Sequence, residues 1–277
     1  MKSRLTAFNE MFGHKAIIGM VHLPPLPGSP LYDDKGISST IEFAMDEARK
    51  LQDGGVDAIE IENYLDASYF PDAVGPELVS AMAIIAHEVR KVTDIPMGIC
   101  ILADPTAGLA VAHAIRAQFV RATFFTEASV DVSGLVLARP HQLLRYRKFL
   151  DPSVKIFADV HIKHSAPLAP RPIEESAYDA AYFQADAVII SGKHTGFPTR
   201  MDDVRAVKRV LPEVPVLIGS GLRQSSAAEF LEVADGAIVG SSLKQDGDAA
   251  NPVDCERVRS LMEVVRRVRE TREAERA

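Results

Sequence analysis

The sequence predicts a (β/α)8 TIM barrel, an α/β fold, from three observations. Eight short apolar runs alternate with helical segments, and strands that alternate with helices pair in parallel through right-handed crossovers. The chain has 277 residues, and eight such units need about 250. No linker or low-complexity stretch interrupts the alternation, so residues 1–277 read as a single domain. Residues 1–14 form an N-terminal extension, and the charged residues 267–277 read as a frayed helix end. A doubly wound open sheet is the alternative, but it rarely uses eight units this regular. The stretch Gly219-Ser-Gly221 lacks the third glycine of a dinucleotide fingerprint, and Gly192-Lys193-His194 lacks the spacing of a P-loop.

The first strand is the apolar run 16–21. It stops in the proline-rich loop 22–30, because proline fixes φ and lacks an amide donor. Residues 40–54 place Ile41, Ala44, Met45, Ala48 and Leu51 on one helical side, and Gly54-Gly55 ends that helix. The second strand, 56–62, turns Ala58, Glu60 and Glu62 one way and Ile59 and Ile61 the other. Helix 75–91, strand 97–102, helix 106–116 and strand 118–125 follow. Residues 126–140 are longer than an ordinary strand-to-helix loop and read as a lid. Helix 140–150 leads to the fifth strand, 156–164, then a proline-broken loop at 165–172 and helix 173–184. Strands at 185–191, 214–218 and 236–239 alternate with helices at 202–211 and 225–233. The last helix, from residue 254, carries Val258, Leu261, Met262, Val265 and Val268 on one face.

The fifth strand holds the strongest chemical signal. With a period of two, Phe157, Asp159, His161 and Lys163 share one face, while Ile156, Ala158, Val160 and Ile162 share an apolar one. A wet edge strand could carry such a row, but a closed barrel has no edges, so the row is expected to point into the barrel mouth. Catalytic residues of barrels sit at the C-terminal strand ends. The candidate catalytic residues are therefore Asp159, His161, Lys163, Glu60, Glu62 and His22. Two inward acids, Glu60 and Glu62, need cationic or metal partners, and Lys163 is a candidate. The glycine- and serine-rich ends of the last two strands suit phosphate binding through backbone amides. These ends supply Gly219, Ser220, Gly221, Gly240, Ser241 and Ser242, with Lys193 as a further candidate and Lys244 nearby. No cofactor is certain from the sequence. A divalent metal stays open, with Glu62, Asp159 and His161 as candidate ligands.

The net charge of −7 lacks the basic footprint of a nucleic-acid binder. Two distant cysteines, Cys100 and Cys255, make no disulfide framework or zinc spacing, so a reducing, cytoplasmic setting is expected. No signal-peptide run opens the chain, and no apolar run reaches the ~20 residues of a transmembrane segment.

Several long motifs resemble one family. They are Lys15-Ala-Ile-Ile-Gly-Met-Val-His-Leu-Pro-Pro-Leu-Pro-Gly-Ser-Pro30, Ile61-Glu-Asn63, Val74-Gly-Pro-Glu77 and Lys155-Ile-Phe-Ala-Asp-Val-His-Ile-Lys-His164. Val216-Leu-Ile-Gly-Ser-Gly221 and Val239-Gly-Ser-Ser-Leu-Lys244 extend the set. Together they resemble the BtpA/SgcQ family over residues 13 to 265. The resemblance implies a barrel related to ribulose-phosphate-binding barrels. It implies function less directly: the family is named for photosystem I biogenesis, while other members look like enzymes of carbohydrate metabolism. Residues 99–104 lack an asparagine expected on the third strand, and 124–128 replace a more polar end, which points to a different substrate choice.

Two functions compete. One is an enzyme acting on a phosphorylated sugar or related small-molecule substrate, of lyase, isomerase or hydrolase type, with Asp159 and His161 as acid–base pair and Lys163 as electrostatic stabiliser. A Schiff base at Lys193 is a variant of it. The other is a non-catalytic assembly or stability factor for a membrane complex such as photosystem I, using the proline-rich loop or the last helix as its surface. A homo-oligomer is compatible with either.

Overall fold

Eight parallel strands close on themselves in a computed structural model that describes residues 2–66 and 68–276. Met1 and Ala277, at the tips of the expected extension and frayed tail, lie outside the described residues. In chain order the strands are β1 (Ala16–His22), β2 (Ala58–Glu62), β3 (Met97–Cys100), β4 (Phe119–Ala122), β5 (Ala128–Asp131), β6 (Gly134–Leu137), β7 (Lys155–Val160), β8 (Ala166–Pro167), β9 (Ala187–Ile190), β10 (Val216–Ile218) and β11 (Gly236–Val239). The barrel runs β1-β2-β3-β4-β7-β9-β10-β11 and closes back on β1. The helices are α1 (Arg4–Phe12), α2 (Ser38–Gly54), α3 (Pro76–Arg90), α4 (Pro105–Ile115), α5 (Pro140–Leu150), α6 (Ile173–Tyr182), α7 (Met201–Val210), α8 (Ala227–Val233) and α9 (Cys255–Arg276). Among the described residues no helix is long and apolar enough to cross a membrane.

Alternation along each strand divides the core into two layers. Outward side chains such as Ile17, Val21, Ile59 and Ile61 pack against the helices. Inward ones, including Ile18, Met20, Phe119, Phe157, Ile189, Leu217 and Ile238, fill the barrel floor. Phe119 and Phe157 stack with centroids 4.5 Å apart. Gly98 leaves room for this pair, since a Cβ there would lie 2.1 Å from the Phe119 ring. The N-terminal extension closes the floor: Ser3 caps α1, and Phe8 and Phe12 are buried against the pair. Phe12 meets Phe119 and Phe157 at 5.7 and 5.8 Å.

Three segments differ from the sequence expectation. Residues 126–140, expected as a lid, form the β5–β6 hairpin, and the proline-broken loop supplies β8 to complete a three-stranded sheet. The fifth barrel strand, β7, ends at Val160 rather than 164. His161 follows it at φ 49, in the left-handed region, so the period of two stops there. The proline-rich loop is anchored by the buried Leu23 and Leu26, and Leu26 N–H donates to Asp66 Oδ1 at 2.7 Å. The apolar face of α9 is also used internally, with Val258, Leu261, Met262 and Val265 buried in the core.

Candidate active site

At the C-terminal mouth of the barrel the inward positions turn from apolar to ionisable. One step above the Phe119 layer, β4 presents Arg121, which is 2% exposed. A guanidinium this buried needs anions around it, and three carboxylates meet it. Its Nε donates to Asp159 Oδ2 at 2.7 Å and its Nη2 to Asp159 Oδ1 at 3.0 Å. Its Nη1 lies 3.5 Å from Glu60 Oε1 and 3.7 Å from Glu62 Oε1. Burial opposes the charge, but Asp159 and Glu60 outweigh it and hold the Arg121 pKa well above its ordinary value. Ser191 Oγ also donates to Asp159 Oδ1 at 3.3 Å.

The two inward acids of β2 behave differently. Burial, with Glu62 and Asp159 adding to it, pushes the Glu60 carboxyl up to about 8 despite Arg121. Burial also opposes ionisation of Glu62, but His22, Arg121 and Lys163 outweigh it and hold that carboxyl below its usual range. His22, at the end of β1, stacks on Tyr64 with ring centroids 4.3 Å apart. Its Nδ1 bonds the Ala249 carbonyl at 2.9 Å and its Nε2 lies 3.5 Å from Glu62 Oε2. Burial lowers its pKa to about 4, with Glu62 opposing. A carbonyl only accepts, so Nδ1 carries a proton. Burial and then Arg121 lower the Lys163 pKa, with Glu62 and Asp159 opposing.

Across this cleft stand the last two strand ends. Glu62, Arg121, Lys163 and His22 share its lining with Gly219, Ser220, Gly221, Gly240, Ser241 and Ser242. Ser220 Oγ accepts from Gly192 N–H at 2.6 Å and donates to the Phe197 carbonyl at 2.9 Å. Ser242 Oγ donates to the Leu222 carbonyl at 2.7 Å. Both hydroxyls therefore brace the loops. The deep cleft measures about 30 Å³ and adjoins a groove of about 670 Å³ that shares Gly221, Ser241 and Ser242 and adds Arg223 and Arg257.

The candidates read from sequence are only partly gathered. His22, Glu60, Glu62, Asp159 and Lys163 converge with the phosphate-loop candidates. His161 does not: its left-handed backbone turns it away, and its Nε2 bonds Ser176 Oγ on α6 at 3.0 Å. This corrects the expected Asp159, His161 and Lys163 row, and it removes His161 from the same metal set as Glu62 and Asp159. Lys193 is exposed and lies outside the cleft lining, and its carbonyl accepts from His164 N–H at 3.0 Å. The Lys244 side chain is fully buried on Glu47 and does not line the cleft. The expected partner of the two acids, Lys163, is joined by Arg121, whose signal is an arginine at an inward position of an otherwise apolar strand. Cys100, also inward on β3, joins them, and its thiol bonds Glu62.

Comparison with known proteins places the chain. Residues 13–267 match the BtpA family. An uncharacterized protein of Archaeoglobus fulgidus is 40% identical over 249 residues, 90% of this chain and 97% of that protein. The photosystem I biogenesis protein BtpA of Synechocystis is 36% identical over 260 residues, covering 93% and 90%. Among solved structures, an archaeal fructose 1,6-bisphosphate aldolase superposes with a TM-score of 0.57 at 16% identity, covering 95% of this chain and 98% of that one. At that identity the likeness concerns the fold. This chain belongs to the BtpA family.

Proposed function

We propose that this chain is an enzyme acting on a phosphorylated sugar or related small molecule by proton-transfer chemistry of lyase, isomerase or hydrolase type. The observation that carries the reading is one cleft with two unlike walls. Glu62, Arg121 and Lys163 stand on one side, and two glycine- and serine-rich strand ends stand on the other. Asp159, bound through both oxygens to Arg121, is a poor base. Glu62 and Lys163 are the ionisable side chains on the cleft wall that a substrate meets, and Lys163 stabilises the negative charge that develops. Asp159 and Arg121 act as a fixed frame that positions Glu62. The phosphate rests on Gly221, Gly240 and Ser241, and the rest of the substrate extends into the adjoining groove, whose size suits a small-molecule ligand.

The test is a thermal-shift screen of phosphorylated metabolites and inorganic phosphate. A ligand at ~100 times its Kd stabilises by about 2.7 kcal/mol. Ser241→Asp puts a negative charge on the phosphate wall and should abolish the shift. A library without a shifting compound, or a shift untouched by Ser241→Asp, would sink the reading.

A second reading, a non-catalytic assembly factor, draws on the name of the Synechocystis relative and on one surface. Val130, Leu135, Leu137 and Leu168 are exposed on and beside the β5–β6–β8 sheet. The combination of Glu62→Gln with Lys163→Met discriminates: an assembly role tolerates it, and an enzyme loses turnover.

A further inference from the structure

The least explained atom in the site is Glu60 Oε2. Glu60 is fully buried, and this oxygen has no hydrogen-bond partner. Protonation does not resolve the deficit, because a carboxyl O–H would then lack an acceptor. Buried polar atoms left in this state call for a missing water or ion.

The surrounding atoms favour an ion. Arg121 engages the Oε1 atoms of both Glu60 and Glu62. Of their Oε2 atoms, that of Glu60 is orphaned, and that of Glu62 lies 3.5 Å from His22 Nε2. A histidine nitrogen and a carboxylate oxygen this close share a proton or a cation. His22 is already braced through Nδ1 to a backbone carbonyl, the outer contact that orients metal-bound histidines. The strand register supplies the next donor. His22 pairs with Glu62 across β1–β2, and Glu62 pairs with Cys100 across β2–β3, so three donors form one row. Glu60 sits one inward step below Glu62. One ligand atom from each of Glu60, Glu62 and Cys100 lies within 4.8 Å of the others. The cleft at the barrel mouth reaches two of these donors, His22 and Glu62.

We propose that Glu60, Glu62 and Cys100, with His22 bordering them 3.5 Å from Glu62, form a binding site for a divalent transition-metal ion of the zinc class. The mixed set decides the class. Two carboxylates alone would suit magnesium or calcium, but a thiolate and an imidazole select borderline ions such as Zn²⁺, Co²⁺ or Fe²⁺. The thiol must ionise to ligate, so binding releases the Cys100 proton to solvent. Charge also balances. Glu60, Glu62, Asp159 and a Cys100 thiolate carry four negative charges, and Arg121, Lys163 and a divalent ion carry four positive ones.

Cobalt(II) tests the site in the full chain without any substrate, so the outcome is independent of whether phosphate binds. Stripped protein titrated with Co²⁺ should develop a sulfur-to-cobalt charge-transfer band that saturates at one equivalent. Cys100→Ser should remove the band, and Cys255→Ser should keep it. Glu60→Gln retains the Oε1 contact to Arg121 and serves as a second variant in case Cys100→Ser does not fold. It should weaken Co²⁺ binding at least ~10-fold, with the metal-free melting temperature changed little. No band in the wild-type chain means that a water alone satisfies Glu60 and overturns the proposal. So does a band that survives Cys100→Ser, or Co²⁺ affinity unchanged in Glu60→Gln.

Discussion

Arg121→Met is the most informative stability perturbation. It removes the cation from the centre of Glu60, Glu62 and Asp159 while keeping an apolar side chain of similar reach. Removing one partner of a buried ion pair costs about 3–5 kcal/mol, because the remaining charge stays out of water. Arg121 is 2% exposed and meets Asp159 through two hydrogen bonds, so solvent screening does not soften the loss. At about 2.1 cal/mol/K per residue, 277 residues have an unfolding entropy near 0.6 kcal/mol/K, so the melting temperature should fall by roughly 5–9 °C. Urea denaturation should move its midpoint with an unchanged m-value. Asp159→Leu combined with Arg121→Met removes both members of the closest pair and should be less destabilised than the sum of the single variants, by about 1–3 kcal/mol of coupling. A loss below about 1 kcal/mol in Arg121→Met, or strict additivity in the double variant, would refute the view that this cation neutralises the barrel mouth.

Three further outcomes follow from the fold. Phe12→Ala opens the barrel floor against Phe119 and Phe157 and should cost about 3–5 kcal/mol by chemical denaturation, whereas a cost near zero would mean that α1 does not seal it. Gly221→Ala should lose more than about 1 kcal/mol, because φ is +70 and the new Cβ falls 2.4 Å from Pro198 Cα. Gly134→Ala, at φ +99 in open space, should lose less, and equal losses would discount the contact. Burial lowers the His161 pKa below its ordinary 6.5, with Glu127 and Asp203 opposing. Between the folded pKa and 6.5 the unfolded chain binds a proton that the fold does not, so stability falls as pH drops through that window. His161→Asn should flatten the dependence of melting temperature on pH there, and an unchanged slope would count against it.

The barrel was legible because strand and helix periods are local properties. Ala58, Glu60 and Glu62 had to share a face, and parallel pairing of eight apolar runs had to close. The β5–β6–β8 sheet was not legible. Its pairing of Val130 with Ala166 joins two loops that each look irregular alone. Asp159 fell where the alternation placed it, and His161 did not, because one left-handed residue ends the strand and reverses the direction of its side chain; Lys163 reaches the cleft from beyond the strand end.

The sequence by itself determined which acids and bases line the inner faces of strands, since the period of two is set by backbone geometry. Only the tertiary structure decided which of them meet. Barrel closure and register bring Arg121 of β4 to Asp159 of β7, and they align His22, Glu62 and Cys100 across three strands. No local pattern encodes those distances, because they depend on how separate strands are staggered around a closed sheet.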